Sequence, residues 1–81
     1  KMTQMDGMLY RKYLREYVEL AVRNSDGTAR GIYESLAEIR IGGLFTRHKL
    51  ERSRALQDAR LAFDEHRHWP VEIILRHLGL D

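Results

Sequence analysis

The chain contains no cysteine. That excludes a disulfide framework, a thiol nucleophile and a thiolate metal site. It contains one proline, Pro70, so little stands in the way of long helices. Apolar runs are short and none approaches the ~20 residues that span a bilayer. Residues Lys1 to Gly7 lack the apolar h-region of a signal peptide. No membrane partner is expected, and the expected compartment is the cytoplasm. Strand signals are also scarce. Ile39-Arg40-Ile41 is the best of them, and it is too short to outweigh its helical surroundings. Repeats, low-complexity segments and linkers are absent, which leaves one helical domain over 1–81.

Excess charge is scarce too. Fourteen Lys and Arg against twelve Asp and Glu give a net charge of +2. That is weak support for a polyanion partner. The basic residues are mostly Arg, whose fork suits carboxylate and phosphate. Genomic codon bias explains the same preference equally well.

What the chain does have is helical periodicity. A long helix is expected at about 44–68, between Gly42-Gly43 and Trp69-Pro70. From Thr46 to Arg67 there is neither Gly nor Pro, about 22 residues or roughly 33 Å of helix. Thr46 is its expected N-cap, with Phe45 and Leu50 as a hydrophobic staple. Ala55, Leu56, Ala59, Ala62 and Phe63 share one face. Small alanines there let another helix approach closely. Followed towards the N-terminus, the same face carries Arg52 and His48, with Lys49 at its margin. Leu50 and Leu61 lie together on the opposite side. Arg47/Glu51, Arg54/Asp58 and Arg60/Asp64 are spaced for exposed i,i+4 pairs.

The shorter helices are arranged around this one. Residues 6–23 read as the first, with Asp6 as N-cap and Tyr10, Tyr13, Leu14, Tyr17, Val18 and Ala21 as its apolar face. Its outer face offers Lys12/Glu16, Arg15/Glu19 and Glu19/Arg23 as i,i+4 pairs. Asn24-Ser25-Asp26-Gly27 is the clearest turn. Ser25 or Asp26 is expected to cap a second helix over 27–41, which buries Ile32, Leu36 and Ile39 and ends at Gly42-Gly43. Pro70 suits the first position of a last helix over 70–78. Ile73 joins Val71, Ile74, Leu75 and Leu78 there, so burial on most sides is expected. Gly79-Leu80 fits a Schellman end, with Leu80 folded onto Leu75. The fold class is therefore all-α, a small bundle of about four helices built around one long helix.

The motifs of catalysis are missing. Neither a Gly-x-Ser-x-Gly elbow nor a P-loop, a dinucleotide fingerprint or a His-Glu-x-x-His pattern occurs. Asp64 and His68 are spaced for joint ligation on a helix, but nothing completes a metal set. His66 reads as an edge-of-core imidazole. No catalytic residue, metal or cofactor is expected. The one enzymatic arrangement the residues allow is an Arg-lined pocket for a small dianion, from Arg11, Arg15 and Arg52. A complete helix-turn-helix does not fit the spacing of buried positions.

Two functions follow. The first is a small helical protein-interaction module of the regulatory or adaptor type, self-associating as a homodimer or docking on a protein partner. Its candidate interface is Leu50 and Leu61 with Tyr10, Tyr13 and Tyr17. A domain near the lower size limit also gains burial by associating. The second is a nucleic-acid-associated module. It would contact phosphates through Arg47, His48, Lys49, Arg52 and Arg54 at the start of the long helix, where free N–H groups and the helix dipole favour anions. The tyrosine stripe reads as core or interface packing rather than as a platform for stacking bases.

Overall fold

Helical spacing of the first tyrosines resolves into α1, Gln4–Arg23. The computed structural model describes residues 4–42 and 47–80, with the side chains from Gly7 onwards. Asp6 lies inside α1 rather than at its cap, because the helix begins two residues earlier. Tyr13, Leu14, Tyr17, Val18 and Ala21 are buried, and Tyr10 is half-buried at the edge. Gly27 closes the following turn with a φ of 84°, a conformation glycine adopts without a Cβ penalty.

The second helix, α2, runs Ala29–Glu38. Its cap is Thr28 rather than Ser25 or Asp26. The Thr28 hydroxyl oxygen accepts from the Gly31 amide at 3.0 Å. Asp26 acts one layer out: its carboxylate accepts from the Thr28 amide at 3.0 Å and from the Thr28 hydroxyl at 2.6 Å. Those bonds, the hydroxyl's first, hold the Asp26 carboxyl below the usual carboxylate range. A Cβ on Gly31 would overlap Asp26 Oδ1, so a side chain at the third helical position would displace the Asp26 carboxylate from Thr28. Ile32 and Leu36 are fully buried, while Ile39 is only partly so.

The expectation that α2 reaches Gly42-Gly43 is not met. Ile39 is already extended, at φ −71° and ψ 136°. The carbonyls at that end accept from two guanidinium groups, and Leu36 O also accepts from the Ile39 amide at 3.2 Å. Arg60 donates to Leu36 O at 3.0 Å, Ala37 O at 3.4 Å and Ile39 O at 2.7 Å. Arg40 donates to Ala37 O at 2.7 Å. Side chains, not a glycine, terminate the helix.

The long helix is also shorter than expected. α3 runs Lys49–Glu65, 17 residues, not 44–68. Thr46 as cap and the Phe45 half of the staple fall outside the described residues. Arg47 and His48 form a turn ahead of the helix. His48 sits at φ 58° and ψ 39°, left-handed and outside helical geometry, so the ladder begins with Arg52 N donating to His48 O at 2.9 Å. At the far end His66 leaves helical geometry and stacks on Trp69, ring centroids 3.8 Å apart. His77 meets both rings edge-on.

Within its shorter span α3 keeps the expected core stripe. Ala55, Leu56, Ala59, Ala62 and Phe63 are all buried. α1 and α2 both pack on this helix, and α4, Val71–His77, meets it at the corner. Ile74 anchors α4 and is fully buried. Ile73 is 39% exposed, so the last helix is covered on one side only. Its end is a Schellman turn, as expected. Leu80 N donates to Leu75 O at 2.8 Å and Gly79 N to Arg76 O at 2.9 Å, with Gly79 at φ 77°. The fold is thus an all-helical small bundle, with no strand among the described residues. Among the described residues, no helix is long and apolar enough to cross a membrane.

Candidate functional site

The basic residues at the start of α3 divide into two groups. Arg47, Lys49 and Arg54 are exposed. His48 and Arg52 are half-buried and committed to α1. The Tyr13 hydroxyl and His48 Nδ1 lie 2.6 Å apart. Arg52 donates to Arg47 O at 2.9 Å and to the Tyr17 hydroxyl at 3.4 Å. Its guanidinium carbon stands 4.1 Å from the centre of the Tyr13 ring, within cation–π range. The Tyr17 hydroxyl, by accepting, pushes the guanidinium further above its already high range. Lys12 approaches the same ring at 5.7 Å. His48 and Arg52, the half-buried members of this group, tie the start of α3 to α1.

Tyr13 and Tyr17 are core residues, 4% and 9% exposed. Their rings are not available to a partner or to a base, which corrects their place in the candidate interface. Their hydroxyls reach the edge and make the bonds just described. Tyr10 is partly accessible. It donates to Asp58 Oδ2, and Arg54 lies 5.5 Å from its ring centre. Burial first, then the bond to Asp58, push its phenol from 10.0 up to about 12. The folded state thus favours the neutral phenol. The stabilisation is fully present below the unfolded value of 10.0 and is lost as pH rises through about 12. Ultraviolet difference titration of wild type against Tyr10→Phe is expected to show this late ionisation, and Asp58→Asn should bring it down towards the ordinary range. An ordinary inflection in wild type would contradict the Tyr10–Asp58 contact.

Leu50 and Leu61 are 69% and 45% exposed. They share a face of α3, but the exposed Arg54 and Gln57 lie between them. The two leucines therefore do not join into one apolar patch. The expected i,i+4 pairs are likewise unformed. Among the described residues the ion pairs are Arg30–Glu34 and Arg67–Asp64. Arg60 caps α2 and Asp58 holds Tyr10 instead.

The three arginines of the conceived dianion pocket are separated. Arg15, Arg11 and Arg52 line three different depressions. No three His, Asp or Glu side chains converge among the described residues. His68 follows the end of α3, so Asp64 and His68 do not share a helical turn.

One depression has an apolar floor that spacing alone does not show. α4 has 7 residues and α1 has 20, about 10 Å against about 30 Å of helix. Val18 and Val22 on α1 face Leu75 and Leu80 across a groove of about 390 Å³, with Arg15, Glu19 and Arg23 along its α1 side.

Family models, curated proteins and solved structures offer no match to this chain. The surface itself carries the functional reading. Sequence periodicity placed Val18, Leu75 and Leu80 on packing faces; Val18 and Leu80 are buried there, and Leu75 with Val22 is what the groove leaves accessible. The only signal in the sequence was the short span between Pro70 and Gly79.

Proposed function

We propose that the chain is a small helical protein-interaction module of the regulatory or adaptor type. The groove between α1 and α4 is the observation that supports this reading. It presents an apolar floor beside charged residues, the composition of a docking groove for an amphipathic helix. The reading moves the contact surface away from Leu50 and Leu61, which polar residues separate. A cytoplasmic setting is consistent with the absence of cysteine.

Selection of displayed amphipathic helical peptides tests the proposal, with Val22→Asp as the counter-target. Val22 is 37% exposed at the end of α1, so the variant is expected to stay folded by circular dichroism. Selected peptides should bind wild type and lose about tenfold or more on Val22→Asp, a change of about 1.4 kcal/mol. Equal binding to both would place the interface elsewhere.

A second reading is favoured by the basic groups around Tyr13. Lys12, Arg47 and Lys49 are exposed close to that ring or to its partner His48. Such a surface would contact phosphates through exposed charge, with Arg52 and His48 in supporting roles. Under the same conditions, a short random-sequence duplex in place of the peptides distinguishes the readings. Phosphate contacts lose affinity steeply with salt, and an apolar groove does not.

A further inference from the structure

We propose that the α1/α4 groove takes an amphipathic helix of a partner protein whose charges run acidic, basic, acidic at one-turn intervals. This rests on the interaction-module reading and adds the chemistry of the partner. Arg15, Glu19 and Arg23 follow one another at i,i+4 along α1 and line the groove together. They form a row of alternating sign about 12 Å long. All three are exposed. The ion pairs found among the described residues are elsewhere, at Arg30–Glu34 and Arg67–Asp64.

The floor and the row of charge select different properties of the occupant. Val22, exposed, and Leu75, half-buried, are the accessible apolar surface above the buried Val18 and Leu80, and they call for apolar side chains on one face of the incoming helix. Exposed ion pairs add little affinity, but like charges set opposite one another are penalised. An alternating row therefore works mainly by rejecting helices of the wrong pattern. A nucleic acid would meet an apolar floor with Glu19 in the middle of the row.

A second copy of this chain is a poorer occupant. A two-fold axis at the centre of the groove sets each patch against itself. Glu19 would face Glu19, and Arg15 would face Arg23. Sliding the pair by one turn relieves the repulsion only by leaving one end of the groove uncovered.

The test uses two synthetic helical peptides with identical apolar residues. One carries Glu, Lys and Glu at successive i,i+4 positions beside its apolar face, and the other carries Lys, Glu and Lys. Binding to the full chain is followed by calorimetry and by nuclear magnetic resonance shifts. The first peptide is expected to bind about tenfold tighter at low salt, with the preference shrinking at high salt. Shifts should centre on Val18, Val22, Leu75 and Leu80. The protein carrying Arg15→Glu, Glu19→Arg and Arg23→Glu should reverse the preference. Equal binding of both peptides in the groove overturns the charge pattern and leaves the interaction reading standing. Failure of both to shift groove residues overturns the two together. Dimerisation through the groove without peptide overturns the partner-helix proposal in favour of a second copy.

Discussion

Phe63→Ala is expected to reduce the urea midpoint of unfolding by about a quarter or more. Phe63 is fully buried on α3, and it is the largest of the fully buried side chains. Truncating a buried Phe costs about 3–5 kcal/mol, from lost transfer energy plus the cavity left behind. Domains hold roughly 0.05–0.15 kcal/mol per residue, so a chain of this length has about 4–12 kcal/mol in total. One substitution thus removes a large share of the stability. α3 is packed against each of the other helices, so neighbours held on several sides have little freedom to collapse into the gap. Leu61→Ala is the control. Leu61 stands two residues earlier on the same helix but is 45% exposed, and its loss should stay near 0.5 kcal/mol. Far-UV circular dichroism against urea measures both. Equal losses for the two would mean that α3 is rotated from the orientation described.

Arg60→Ala is the second large effect, an expected loss of about 2 kcal/mol. Arg60 leaves α3 and donates to three carbonyls at the end of α2, those of Leu36, Ala37 and Ile39. Hydrogen bonds from a charged donor contribute about 1.5–3 kcal/mol, and Arg60 brings its donors from another helix, whereas the other donors to these carbonyls, Ile39 N and Arg40, are local. Arg60→Lys should recover little, because an ammonium cannot reproduce the guanidinium fork. Asp64→Ala is the informative comparison. Were Arg60 paired with Asp64 as their spacing allows, both substitutions would show the same small loss. The structure predicts a large loss for Arg60→Ala and almost none for Asp64→Ala, whose ion pair is the exposed one with Arg67. Hydrogen exchange adds a local readout, since protection should fall first in the last turn of α2. Uniform loss of protection along the chain would argue against a capping role.

The two variants also mark which features follow from the amino-acid sequence alone. The apolar stripe from Ala55 to Phe63, the tyrosine face of α1, the turn at Asn24–Gly27 and the Schellman end at Gly79 were all legible. Each depends on a local rule: side-chain period, turn chemistry, or the freedom of glycine to take a positive φ. The lengths of α2 and α3 were not legible. Both were expected to run up to the Gly-Gly pair, yet α2 stops at Glu38 and α3 starts at Lys49. Intrinsic propensity is weak there, and side chains distant in sequence decided the boundary. Arg60 ends α2 from 21 to 24 residues away. His48, held beside Tyr13, precedes α3 from the left-handed region.

The candidate surface divides in the same way. Sequence by itself determined which residues are apolar, on which side of each helix they fall, and that the start of the long helix is basic. Tertiary structure decided which of them stay accessible. It turned Tyr13 and Tyr17 inward, used Arg52 and His48 to join α3 to α1, and kept Arg60 from Asp64. It also left Val22 and the row from Arg15 to Arg23 beside a groove that a seven-residue α4 does not cover. Helical period is a property of neighbouring residues and survives in any packing. Accessibility depends on which helix ends fall beside which faces, and those distances are set only when the bundle closes.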